Sequence, residues 1–80
     1  METRVAVMSI IVENVASVEE LNNILHEYRE FIIGRMGIPY HQKKINIISI
    51  ALDAPQDLIS AISGRIGNLE GVNVKTAFSK

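Results

Sequence analysis

One pattern occurs twice in this chain, and it leaves few folds open. An apolar strand-like run, an amphipathic helical stretch and a second strand-like run fill residues 4–38, and the same order returns in residues 45–78. A strand-helix-strand-strand-helix-strand order in 80 residues predicts a split βαβ arrangement: an α+β, ferredoxin-like βαββαβ domain with a four-stranded antiparallel sheet and two helices on one face. Residues 1–80 are expected to form one such domain. A chain this short buries a modest fraction of its surface, so a partner would add to a marginal stability.

The first strand reads as Arg4 to Val12, with Val5, Val7 and Ile11 on one side and Ala6, Met8, Ile10 and Val12 on the other. Ser17-Val18-Glu19-Glu20 reads as a capping box, Ser17 capping the first helix and Glu20 reaching back. Val18, Leu21, Leu25 and Tyr28 make its apolar stripe with Ile24 beside it, and the helix is expected to end near Arg29 or Glu30. Phe31 to Ile38 read as the second strand, with Gly34 and Gly37 marking a bulge or an edge and Pro39 ending it. The third strand, Ile45 to Asp53, is again apolar on both sides. Pro55 suits the first position of a second helix whose buried stripe is Leu58, Ile59, Ile62, Ile66 and Leu69. Val72, Val74, Thr76 and Phe78 alternate with Asn73, Lys75 and Ala77 in a one-sided last strand.

In this fold the first and third strands are central, yet the helices cover only one face. Apolar residues on both sides of both strands therefore leave a large uncovered patch, lined either by Ala6, Met8, Ile10, Val12, Ile48, Ile50 and Leu52 or by the opposite set. The expected consequence is a homo-oligomer formed through the open sheet face.

Little chemistry is on offer. With no cysteine there is no disulfide, and His26 and His41 stand apart, so no metal site and no cofactor are expected. Ser9, Ser49, Ser60 and Ser63 have no histidine–acid pattern to activate them, and no catalytic residues are assigned. The net charge of −1 lacks the basic face of a nucleic-acid binder, so direct nucleic-acid binding is not expected. No signal peptide or membrane-spanning run is visible, and a cytoplasmic location is expected. Arg35, His41, Lys43 and Lys44 gather positive charge around the second strand and its turn; such charge can hold an anion, or can solvate a turn and guard an edge strand. Gly64 and Gly67 late in the second helix cost about 2 kcal/mol of helix propensity, which close approach of a sheet, a neighbouring chain or a ligand would explain.

Arg35-Met36-Gly37-Ile38-Pro39, Ala61-Ile62-Ser63-Gly64-Arg65-Ile66-Gly67 and Gly71-Val72-Asn73-Val74-Lys75-Thr76 together resemble a small bacterial family of regulators of the iron-only hydrogenase system. The resemblance spans essentially the whole chain. It implies an ACT-like, ferredoxin-like domain that assembles into oligomers and acts, without enzymatic activity, on a small effector or on a protein of hydrogenase maturation. The fold is also similar to the metal-sensing domain of nickel-responsive repressors, but the cysteine and histidine cluster of that domain is missing, and a DNA-binding segment before it is not expected. The loop Glu13-Asn14-Val15-Ala16 lacks the glycine of amino-acid-binding ACT domains. Ligand-binding residues are expected near subunit interfaces at Asn14, Arg35, Ser63, Gly64 and Arg65. The rival readings are a DNA-binding transcriptional regulator, a protein-interaction or assembly module without a ligand, and a small enzyme.

Overall fold

In the computed structural model, which describes residues 2–80, β1 (Arg4–Val12) leads to α1 (Val18–Glu27), and β2 (Ile32–Tyr40) and β3 (Ile45–Ala54) follow. Then come α2 (Gln56–Gly67) and β4 (Val72–Phe78). The strands form one antiparallel sheet in the order β2-β3-β1-β4. This is the expected ferredoxin-like α+β arrangement, with the two most apolar strands in the middle.

One face of the central strands is closed by the helices. Ala6, Met8, Ile10 and Val12 of β1 and Ile48, Ile50, Leu52 and Ala54 of β3 are buried against Leu21, Ile24 and Leu25 of α1 and Ile59, Ile62 and Ile66 of α2. These are the helical stripes read from the 3.6-residue period. Thr76 enters the same covered layer from β4, and its buried Oγ1 has no hydrogen-bond partner. An unpaired buried hydroxyl is a net cost. Thr76→Val keeps the β-branched shape and is expected to stabilise the fold by about 1 kcal/mol, measured as a higher denaturation midpoint.

Four local expectations are corrected. Ser17 does not cap α1 with its side chain; its hydroxyl instead donates to the Glu70 carbonyl at 2.6 Å, tying the start of α1 to the turn before β4. That tertiary acceptor replaces the expected capping box, and α1 ends at Glu27, followed by a tight turn over Arg29–Phe31. Pro39 does not end β2, which continues to Tyr40; an edge strand tolerates a residue without an N–H. Pro55 stands one place before α2, its carbonyl accepting from the Leu58 and Ile59 amides.

The bulge anticipated in β2 is present and decides which side chains face where. Ile32 pairs with Leu52 and Gly34 with Ala51, so Ile33 is the extra residue. Inserting one residue flips every later side chain to the other face. Arg35, Gly37 and Pro39 thereby align with the helix-side residues Ile50, Ile48 and Asn46. Met36, Ile38 and Tyr40 align with the opposite side of β3.

Candidate functional site

Two surfaces stand out: the uncovered sheet face and a groove between α1 and β2.

The open face is the second of the two sets anticipated, centred on Val5, Val7, Ser9 and Ile11 of β1. The register places Ile38, Ile47, Ile11 and Asn73 in one row across the sheet and Met36, Ser49, Ser9 and Lys75 in the next. Ala51, Val7 and Ala77 form a third row. Val7, Ile11 and Ile47 are each about two-fifths exposed, and Met36 is 61% exposed. The middle is low, made of serine and alanine, so another flat sheet can approach it closely. Four strands about 4.8 Å apart and about nine residues long give a face of roughly 550 Å².

On the other side of the sheet, Arg35 projects from β2 toward α1, and its Nη2 donates to Asn22 Oδ1 at 2.7 Å. This bond bridges the groove. On one side lies a cavity of about 510 Å³ bounded by Asn23, His26 and Arg29 from the α1 side and Ile32 from β2, with Leu25 in its floor. On the other side a smaller space of about 260 Å³ runs over Gly37 and Pro39 toward Val18 and Ile48. A Cβ added at Gly37 would meet nothing within 4 Å, so the small side of β2 keeps the groove open.

The anticipated ligand residues fall in three places: Asn14 before α1, Arg35 on β2, and Ser63, Gly64 and Arg65 together on α2. Asn14 caps the short turn before α1, its Oδ1 accepting from the Ala16 amide at 3.0 Å. Arg65 lies at the other end of α1, donating to Glu27 Oε2 at 2.9 Å and to the Tyr28 hydroxyl at 3.0 Å. The ten residues of α1 hold those two positions about 15 Å apart. The Glu27 hydrogen bond, then that of Tyr28, raises the Arg65 pKa above its ordinary value. Ser63 is half-buried on α2 and Gly64 is exposed beside it. A Cβ at Gly64 would touch nothing within 4 Å, so no close approach within the chain accounts for that glycine. Gly64→Ala is therefore expected to stabilise the isolated protein by about 1 kcal/mol through helix propensity, measured by denaturant unfolding. A destabilised variant would show that another surface packs against Gly64.

Asn22, Asn23, His26 and Arg29 join Arg35 only through the packing of α1 beside β2. The one sequence signal for this was the series Arg35, Gly37, Pro39, a cation followed by two positions unable to fill the space, visible once the bulge is placed at Ile33. Among the described residues no three histidine or acidic side chains gather as metal ligands. Also among the described residues, no helix is long and apolar enough to cross a membrane.

The sheet order, the helices on one face and the bare opposite face define a ferredoxin-like α+β domain with one sheet face uncovered. The chain belongs to the TM1266-like family, described as "Iron-only hydrogenase system regulator, putative", which matches residues 4–76. It is similar to protein TM1266 from Thermotoga maritima, at 34% identity over 99% of this chain and 100% of that chain, with a TM-score of 0.95. A formyltetrahydrofolate deformylase from Pseudomonas putida KT2440 shares the fold at a TM-score of 0.66 and 11% identity, covering 91% of this chain and 28% of that one. No curated protein matches the sequence at a significant level.

Proposed function

We propose that this chain is a non-enzymatic, homo-oligomeric regulatory module of the iron-only hydrogenase system, acting by binding a small effector or a protein of hydrogenase maturation. The observation that carries the reading is the apolar open face built on Val7, Ile11, Met36, Ile38 and Ile47. Stacking two copies of a face this size buries on the order of 1,100 Å², just above the roughly 1,000 Å² a specific interface needs. A two-fold axis through the face lets the same patch meet itself, with the sheets about 10 Å apart.

Assembly through that face leaves α1, α2 and the groove on the outside, free for an effector or partner. Arg35 is the effector contact in this reading. Asn14, Ser63, Gly64 and Arg65 are contacts at neighbouring surfaces of the assembly.

The test is genetic. In a host that encodes this chain and an iron-only hydrogenase, deleting the gene is expected to change the level of active hydrogenase. The native gene should restore it, and a version carrying Val7→Glu should not. Unchanged hydrogenase activity in the deletion strain, or full rescue by Val7→Glu, would contradict the proposal.

A further inference from the structure

We infer that the groove between α1 and β2 binds a small organic anion, a carboxylate or a phosphate ester, with Arg35 and Arg29 holding the charge and Leu25 and Ile32 receiving the apolar body. This names the effector class of the regulatory reading and rests on that reading for its role, while the binding itself stands on the groove.

The groove is the right size and of one sign. Its main cavity, about 510 Å³, lies within the range of about 300–1,000 Å³ typical of small-molecule sites. Two guanidiniums, an imidazole and two amides line it, and no carboxylate does. Arg35 uses one of its five N–H donors on Asn22, and Arg29 Nη1 donates to the His26 carbonyl at 2.9 Å. Among the described residues the one ion pair is Arg65 with Glu27, so neither Arg29 nor Arg35 is neutralised by a carboxylate at contact distance. A planar guanidinium with free donors matches a carboxylate or phosphate in a bidentate pair. Asn22 and Asn23 can add both donors and acceptors.

Arg35 is the principal anchor. Arg29 has Glu27 and Glu30 on its far side, where the three line a separate hollow, and their field weakens its pull on an anion. Arg35 faces the groove because the Ile33 bulge turned it there, away from the open sheet face. Its Asn22 bond holds the guanidinium across the groove before any ligand arrives, so little side-chain entropy remains to be lost on binding. Two arginines suit a small ligand and not a polyanion, in keeping with a net charge of −1.

The experiment is an amide NMR titration of the full chain with benzoate, phenyl phosphate and inorganic phosphate, and with benzyl alcohol as the neutral counterpart. Benzoate or phenyl phosphate is expected to shift Asn22, Asn23, His26 and Arg35 saturably, and benzyl alcohol is not. The tighter of the two aromatic anions tells carboxylate from phosphate. Arg35→Met is expected to weaken binding tenfold or more, the loss of a charge-assisted pair. Asn23→Glu, which sets a carboxylate in the groove from an exposed helix position, is expected to do the same and guards against a folding effect of the first variant. The inference is overturned if no anion gives saturable shifts in the groove by about 10 mM, if both variants bind as the native protein does, or if benzyl alcohol binds as well as benzoate. Light scattering on the same samples reads the oligomeric state, so loss of the assembly and loss of anion binding are separate results.

Discussion

Val7→Glu is expected to turn the assembly into a monomer while leaving the fold intact. Val7 lies in the middle of the open face, opposite Ala51 and Ala77, and is 40% exposed in the single chain. A carboxylate there stays in water when the chain is alone. In a stacked pair it would be taken out of water with no cation opposite in its own row, at a cost of several kcal/mol per charge. A two-fold interface contains the substitution twice, so association should weaken by about a thousandfold or more. Sedimentation would show the loss of mass, and an unchanged circular dichroism spectrum would show that the fold survives. Equal association by the variant would place the interface elsewhere.

Gly71→Ala is expected to produce the largest loss of stability. Gly71 has φ +71°, the left-handed region, and a Cβ there would lie 2.6 Å from Asn14 Cβ and 2.9 Å from the Asn14 backbone nitrogen. The Gly71 carbonyl accepts from the Glu13 amide at 2.7 Å, and the Glu70 carbonyl accepts from Ser17, so the turn before β4 and the β1–α1 loop are locked together. The backbone cost of about 1–2 kcal/mol and an overpacking cost of about 1–3 kcal/mol together suggest a loss of roughly 3–4 kcal/mol. A domain this small loses about 4–8 °C of Tm per kcal/mol, so a fall of 15 °C or more, roughly, is the expected result of thermal unfolding. A variant within a few degrees of the native Tm would mean that the two loops separate at little cost.

The fold was largely legible because its signals are local. Alternation in β4, the 3.6-residue stripes of α1 and α2 and the two-sided apolar pattern of β1 and β3 each follow from side-chain geometry within one element. What the sequence hid depends on contacts between elements. Ser17 had a local partner three residues on but bonds to Glu70, over fifty residues away, because folding brings that carbonyl closer. Pro39 looked like a strand end because its tolerance depends on lying at a sheet edge.

The same distinction applies to the candidate site. Arg35 was legible as a cation on the second strand, and Arg65 as part of a distinctive segment. Sequence could not show that Arg65 is engaged by Glu27 and Tyr28 while Arg35 meets an amide across an open groove. The difference is set by the Ile33 bulge and by where α1 lies. The choice of outward set did carry a sequence signal, since Ser9, Ser49 and Asp53 all fall in the outward set while Ala6, Met8, Ile10, Ile48, Ile50 and Leu52 form an unbroken apolar one. The packing of the helices on Met8 and Ile50 left Val7 and Ile47 to the open side.

The open sheet face is expected to be an interface between copies of this chain. The most direct measurement is the native mass of the purified protein at micromolar concentration. A discrete multiple of the 8.9 kDa chain, converted to the single mass by Val7→Glu, is the predicted result. A native protein of 8.9 kDa throughout the micromolar range would contradict it.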